Sequence, residues 1–412
     1  MTIFKWRKTR KAYGSANKIA FMNLDAIQSA LRDQHLDGWL FYDHHHRDPI
    51  AYRILGLDTQ MFVSRRWYYF VPANGEPQKL VHRIEAGKLD AVPGTKHEYS
   101  SWQELERELA GMLGDAKKIA MQYSPRNAIM YVSMVDAGTV ELLRAMGKEI
   151  VSSADMVSQF EAVLTEEQIA THYAAQQKLD GVLTAGWKHM GDEVRAGRNT
   201  DEFSIVTFLN EAMTREGLWT DHGPNCSAGP NSADSHYEPT RESSRAIRSG
   251  DFVLIDIWAK LANRPEAIWY DITWTGVVGR EPSEREQLIF TTVRDARDAS
   301  IATVEKAYAE NRAIAGWEAD DASRNVIRNA GFGEWFTHRT GHNIATELHG
   351  NGAHLDNLET HDERLILPNT CFSVEPGLYF PGEFGVRSEV NMITRPGNAV
   401  VTGPRQRELV RI

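Results

Sequence analysis

A chain of 412 residues is too long for one typical hydrophobic core and predicts two or three domains. Hydrophobic residues at 42% and charged residues at 25% are the usages of a soluble globular protein, and a net charge of −10 argues against the basic face of a nucleic-acid binder. Cys226 and Cys371 are the only cysteines and lie far apart, which excludes a disulfide framework and a cysteine-rich zinc site and points to a reducing compartment. The basic N-terminal segment lacks a leader's apolar run of about 7–15 residues, and no stretch of about 18 apolar residues could cross a membrane. The expectation is a cytoplasmic protein with no membrane or nucleic-acid partner.

In chain order, residues 1–155 read as alternating helices and strands. Leu24 to Gln34 predicts an amphipathic helix, Gly38 to Tyr42 a buried strand and Trp67 to Pro72 an aromatic strand closed by proline. Trp102 to Leu113 reads as a helix and Lys118 to Met121 as a strand, which together predict a small, largely parallel α/β sheet domain. His44-His45-His46 invites a metal reading. Consecutive side chains cannot all converge on one ion without strain, so a solvated loop is expected there.

Composition changes near Asp155, so an N-terminal α/β domain over 1–160 and a second, α+β domain over 161–412 are expected. Thr165 with Gln168 is a capping-box pattern that opens a helix running to about Met190, and Thr200-Asp-Glu-Phe opens another ending near Gly217. Residues 221–240, rich in Gly, Pro, Asn and Ser, predict a long functional loop. Phe252 to Trp258 reads as a central strand with Ile272 to Val278 as its hairpin partner. Helices follow over 283–311 and 319–330, the latter stopped by Gly331. Late strands are expected over Thr370–Leu378 and Val386–Thr394.

Walker, GxGxxG, HExxH and GxSxG motifs are absent. Acids placed inside apolar strands stand out instead. Asp256 sits in Phe-Val-Leu-Ile-Asp-Ile-Trp, Glu375 in Cys-Phe-Ser-Val-Glu-Pro-Gly-Leu-Tyr and Glu389 in Gly-Val-Arg-Ser-Glu-Val. Burying an unpaired carboxylate is costly, so these acids either pair with arginines such as Arg387 or bind metal. Taken one at a time, the structural pairing is the commoner outcome.

The ordered set Asp256, Asp271, His342, Glu375 and Glu389, with Phe372-Ser-Val-Glu-Pro-Gly-Leu-Tyr379 and Gly385-Val-Arg-Ser-Glu389, resembles the pita-bread metallopeptidases over residues 165–412. Methionine aminopeptidase, prolidase and aminopeptidase P belong to that family. The resemblance implies a pita-bread catalytic domain in which these five residues hold two divalent ions. Manganese is the foremost choice, with cobalt, zinc or iron also suited to so oxygen-rich a donor set. Two ions about 3.5–4 Å apart would trap a water and lower its pKa, giving a bridging hydroxide, and would polarise the substrate carbonyl. Thr273, two residues after Asp271, is placed to hydrogen-bond a ligand.

By the same resemblance His349 and His236 contact the substrate and support catalysis, with Glu375 and Arg387, while His338 lines the pocket. Arg387 holds the acids and orients the peptide. Each lone histidine would otherwise be read as a surface or hydrogen-bonded core residue. The implied reaction is cleavage of the Xaa-Pro bond of a short peptide by a homodimeric enzyme. The N-terminal domain favours prolidase or aminopeptidase P over methionine aminopeptidase, and the sequence leaves dipeptidase and aminopeptidase both open. The alternatives are a same-fold enzyme acting on a small non-peptide substrate, as C–N hydrolase or lyase, and a non-enzymatic binding module, which retention of five ligands disfavours.

Four features depart from the family pattern. The two aspartates are 15 residues apart, which lengthens the hairpin Ala259 to Tyr270; Trp274 stands near Asp271; Asn343 follows His342; and Gly350 follows His349. They bear on substrate choice.

Overall fold

The computed structural model describes residues 22–412; the basic N-terminal segment, with the expectation that it is no leader, lies outside the described residues. The chain divides into two compact units: residues up to Ile119 with Val135–Glu149, and Ala120–Met134 with Ile150–Ile412.

The first unit's elements follow the hydrophobic pattern closely. Helix α1 (Leu24–Asp33) starts where the Asn23 side chain accepts the Ala26 N–H, and it buries Ile27, Ala30 and Leu31 on one face. It is followed by β1 (Gly38–Asp43), α2 (Pro49–Leu55), β2 (Trp67–Pro72), β3 (Gln78–His82), β4 (Thr95–Tyr99), α3 (Trp102–Leu113), β5 (Lys118–Met121), α4 (Ala137–Ala145) and β6 (Glu149–Ser152). The sheet order is β4-β3-β2-β1-β5-β6. The expected largely parallel arrangement is interrupted at two pairs. β1 pairs antiparallel with β2, and β2 with β3, the latter because the link of Ala73–Pro77 is a turn too short for the crossover a parallel pair needs. Only the β3–β4 pair of these is parallel. The triple histidine lies in a solvated loop: His45 and His46 are exposed at positive φ, and Asp43 turns the chain by accepting the N–H groups of His46, Arg47 and Asp48.

The second unit opens with α5 (Ala154–Glu161) and the 30-residue α6 (Glu166–Arg195), which has the expected Thr165–Gln168 capping box. Next come α7 (Glu202–Arg215), capped by Asp201, then β7 (Leu218–Trp219), β8 (Asn225–Ala228), β9 (Phe252–Leu261) and β10 (Tyr270–Val277). Helices α8 (Glu284–Ala309) and α9 (Gly316–Asn329) follow, then β11 (Asn343–Ile344), β12 (Cys371–Val374), β13 (Gly377–Phe380), β14 (Phe384–Arg387), β15 (Val390–Arg395), β16 (Asn398–Thr402) and β17 (Val410–Arg411). One sheet runs β17-β10-β9-β7, with β8 also on β9, and α6 and α7 pack Leu179, Val182, Trp187 and Leu209 against its Ile255, Ile257 and Ile272. The other runs β11-β12-β15-β16, and α8 brings Ile301 and Val304 against Phe372, Val374 and Met392.

The expected continuous late strands are also corrected. Each breaks at its glutamate: Glu375-Pro376 separates β12 from β13, and Ser388-Glu389 separates β14 from β15. Pro376 has no N–H to donate to a ladder, and β13 and β14 form a separate two-stranded ribbon. No helix of the described residues is long and apolar enough to cross a membrane.

Candidate metal centre

The β9–β10 hairpin sets the geometry. Side chains two residues apart share a sheet face, so Asp271 and Thr273 project together, and Thr273 lies directly across from Asp256. Glu389 joins them because its N–H donates to the Thr273 carbonyl at 3.1 Å. The Thr273 hydroxyl lies 2.8 Å from Asp256 Oδ1 and 2.8 Å from Glu389 Oε2.

His342 reaches the same place from the loop before β11. Helix α9 anchors that loop: Asp320, fully buried and paired with Arg324, accepts both the N–H and the hydroxyl of Thr340. Thr340 in turn accepts the Glu375 N–H at 2.7 Å. The His342 Nδ1–H donates to the Asn343 carbonyl at 3.2 Å, which leaves Nε2 as a lone-pair donor 3.3 Å from Glu375 Oε1 and 3.8 Å from Asp271 Oδ2. Ligand atoms of Asp271, His342 and Glu389 all lie within 4.8 Å of one another.

Electrostatically the arrangement is unfavourable for protein alone. Four carboxylates face one guanidinium, Arg387, which pairs with Asp256 and lies 4.0 Å from Glu375. Burial, then repulsion from Asp256 and Glu375, pushes the Asp271 carboxyl well above its ordinary range. Burial, then Asp271, does the same to Glu389. Burial also raises Asp256, although Arg387 pulls it back. His342 is held neutral by burial and by Arg339, its pKa lowered to about 3. Asp271 Oδ1 and Glu389 Oε1 are buried without a hydrogen-bond partner among the described residues. Buried carboxylate oxygens are normally satisfied, so two orphaned oxygens beside a neutral imidazole nitrogen fit a hard divalent cation.

The remaining predicted residues divide. His349 stacks edge-on against His342 at 4.3 Å and keeps an exposed edge; His342 and burial lower its pKa to about 3. His338 donates from Nδ1 to the Arg339 carbonyl and accepts the Tyr379 hydroxyl at Nε2, 2.8 Å away. Burial holds it neutral, with its pKa at about 4. Tyr379 also receives Arg387 Nη1 at 3.3 Å, so His338, Tyr379, Arg387 and Asp256 form one polar chain. His236 is exposed on the loop after β8, and its backbone N–H donates to the Asp234 carboxylate. Buried Glu202 fixes that loop by accepting the Tyr237 hydroxyl and the N–H groups of Ala228 and Arg245.

Sequence reasoning missed Ser373, Asn391 and Tyr379 as functional residues. The Ser373 hydroxyl accepts the His342 N–H and donates to Glu375 Oε1, both at 2.9 Å, and Asn391 Oδ1 accepts the Asp271 N–H at 2.9 Å. A period-two signal was present, because Ser373 lies two residues before Glu375 and Asn391 two after Glu389. The Asn343 and Gly350 departures prove to be one feature. A Cβ on Gly350 would sit 2.2 Å from Asn343 Oδ1, and the Asn343 amide is pinned to Cys371 O and Gly352 N.

Residues 172–396 match the model of Metallopeptidase family M24. The Xaa-Pro dipeptidase of Lactobacillus delbrueckii subsp. lactis is 25% identical over 393 residues, 91% of this chain and 95% of that protein. A shorter match, 26% identical over 201 residues, covers 49% of this chain, which thereby spans 52% of the length of a Mycoplasma genitalium protein. The crystal structure of dipeptidase PepE from Mycobacterium ulcerans is similar with a TM-score of 0.69 at 22% identity, over 94% of this chain and 96% of that one. X-prolyl aminopeptidase from Caenorhabditis elegans, described as a cytosolic enzyme with a di-nuclear active site, is similar at 0.62 and 14% identity, over 93% and 62%. These likenesses establish the fold expected from the sequence, an α/β N-terminal domain with an α+β pita-bread domain.

Proposed function

Because the chain belongs to metallopeptidase family M24, we propose that it is a dinuclear metal-dependent hydrolase of the Xaa-Pro bond of short peptides. Asp256, Asp271, His342, Glu375 and Glu389 hold the two divalent ions, manganese foremost. Residues 1–160 form the creatinase-like N-terminal domain and 161–412 the catalytic one. The observation that carries this reading is the pair of orphaned oxygens, Asp271 Oδ1 and Glu389 Oε1, beside the neutral Nε2 of His342.

When bound, such ions supply an activated water and a Lewis acid for the scissile carbonyl. The chain's own residues do the rest. Arg387 neutralises Asp256 and, with Tyr379, keeps its carboxylate oriented. Thr273 ties Asp256 to Glu389. His349, held neutral, presents its imidazole to substrate without adding repulsive positive charge beside the ions, and His338, also neutral, lines the pocket with both ring nitrogens bonded to the Arg339 carbonyl and the Tyr379 hydroxyl. His236 and His349 are assigned to substrate contact, His236 from its loop position after β8. The proposal includes a homodimer in the cytoplasm.

A second reading keeps the centre but changes the substrate to a small non-peptide molecule, by C–N hydrolysis or lyase chemistry. The departures at Asn343 and Gly350, which meet in one contact close in sequence to His342 and His349, are what support it.

The test is an assay of metal-stripped protein reloaded with Mn²⁺ on Xaa-Pro dipeptides and tripeptides, with metal counted by elemental analysis. Two ions per chain and Xaa-Pro cleavage are expected. Two bound ions with no cleavage of either peptide would move the second reading to the front. A Glu375→Gln variant with full activity would refute the metal mechanism.

A further inference from the structure

Strand β9 opens to solvent at the metal-ligand candidate Asp256 and at one further residue. From Phe252 to Lys260 every residue is buried except Asp256 and Trp258, which are half-buried. Two residues apart, they share the sheet face that carries the acids. Trp258 also pairs directly across the hairpin with Asp271, a register that sets the two Cβ atoms about 4.5–5.5 Å apart. The indole is fixed in place. Its Nε1–H donates to Asp221 Oδ1 at 3.1 Å, and Asp221 is itself held by the His222 N–H at 2.8 Å. Part of the ring packs on the cluster of Ile268, Trp269, Ile344 and Cys371, where Leu348, the residue before His349, packs too. Lys260, next along this face, is closed off, its ammonium donating to the Pro265 and Thr346 carbonyls. The N–H is the only polar group of an indole. With it satisfied at Asp221, the open part of Trp258 offers an apolar ring face beside the centre.

From this we propose that Trp258 determines specificity: it walls the subsite for the substrate residue before the scissile bond and selects an aromatic side chain there, with Asp221 positioning the indole. The inference rests on the peptidase reading above. The scissile carbonyl belongs to that residue, so its side chain branches from the carbon next to the reacting one and falls beside the acids, where Trp258 stands. Proline is common to every Xaa-Pro substrate, whereas the residue before it varies, and a fixed ring discriminates among its side chains. An aromatic side chain gains both buried apolar area and an aromatic pair there. Alanine covers little of the indole and gains neither.

The test uses the full chain loaded with Mn²⁺ on Ala-Pro, Phe-Pro and Arg-Pro. Wild type is expected to prefer Phe-Pro to Ala-Pro by about tenfold or more in kcat/KM. In Trp258→Ala that ratio is expected to fall to about threefold or less, chiefly through KM for Phe-Pro. Asp221→Ala, a change at an exposed residue that releases the indole, is expected to lower the ratio too. Asp221→Asn keeps an acceptor for the indole N–H and is expected to retain it. Equal wild-type cleavage of Ala-Pro and Phe-Pro overturns the assignment. So does an equal loss on both in Trp258→Ala, which would place the ring at the proline, and so does a preference for Arg-Pro, which would give the contact to the Asp221 charge. An unchanged ratio in Asp221→Ala overturns the positioning role. If the loaded protein cleaves none of the three, the peptidase reading fails. Calorimetric binding of Phe-Pro against Ala-Pro then still reads the wall, and equal affinities overturn it.

Discussion

The Thr273 hydroxyl lies 2.8 Å from Asp256 Oδ1 and 2.8 Å from Glu389 Oε2, and it accepts Arg387 Nε at 3.0 Å. One side chain thus ties together two acids from β9 and from the β14–β15 break. Hydroxyls and carboxylates that orient metal ligands commonly contribute 10–100-fold to metal affinity. Thr273→Val, which keeps shape and removes the hydroxyl, is expected to weaken Mn²⁺ binding by about that factor in a calorimetric titration of stripped protein. Unchanged affinity would show that Thr273 serves packing alone.

Tyr379 joins His338 to Arg387, and Arg387 to Asp256. Tyr379→Phe leaves the ring in place and cuts that chain. A fall of about tenfold in kcat/KM is expected on the magnitude of a single hydrogen bond to a charged group, with thermal unfolding little changed. Steady-state kinetics on an Xaa-Pro substrate decide it; a variant with wild-type turnover would place Tyr379 outside the mechanism.

The Asn343–Gly350 contact makes a structural prediction. Because the Asn343 amide is pinned at both ends, it cannot yield to a new methyl group 2.2 Å away. Gly350→Ala is expected to destabilise the chain by about 1–3 kcal/mol. In Asn343→Ala the same second substitution should be nearly neutral, a coupling of about 1 kcal/mol or more in a double-mutant cycle followed by urea unfolding. Additive effects would contradict the clash.

Acid sensitivity can be assigned to a histidine outside the centre. His172 is fully buried, with Nδ1 2.6 Å from the Trp269 carbonyl and Nε2 2.9 Å from the Thr402 hydroxyl, and burial lowers its pKa to about 4. In the unfolded chain it titrates near 6.5. Between those values the unfolded state binds the extra proton, so stability is intact above about pH 6.5 and is lost as pH falls toward 4. The loss reaches about 2 kcal/mol by pH 5. His172→Gln, which keeps a donor and an acceptor, should flatten that portion of the profile. Urea midpoints of metal-free wild type and variant at pH 7 and 5 measure it, the acids of the centre being common to both; parallel profiles would refute the assignment.

The sequence by itself determined what depends on short-range pattern and residue type. The Thr165–Gln168 box, the burial of β1 and β2 and the β9–β10 hairpin follow from local hydrophobic period and capping chemistry. The metal-ligand candidates were legible because acids inside apolar strands need a cation, and their order and neighbours raised five modest candidates to one site. Other features depended on which strands meet. The β2–β3 turn made the first sheet antiparallel at its centre, and the breaks at Glu375 and Glu389 split two expected strands between sheets. Among the acids that the sequence offered to Arg387, the fold brings it to Asp256 and within 4.0 Å of Glu375. His236 lies exposed on its loop, and Arg339, unremarkable in the sequence, emerged half-buried against Tyr131 with no acid partner among the described residues. Partner choice among buried charges is set by three-dimensional distance and desolvation, which residue spacing along the chain does not encode.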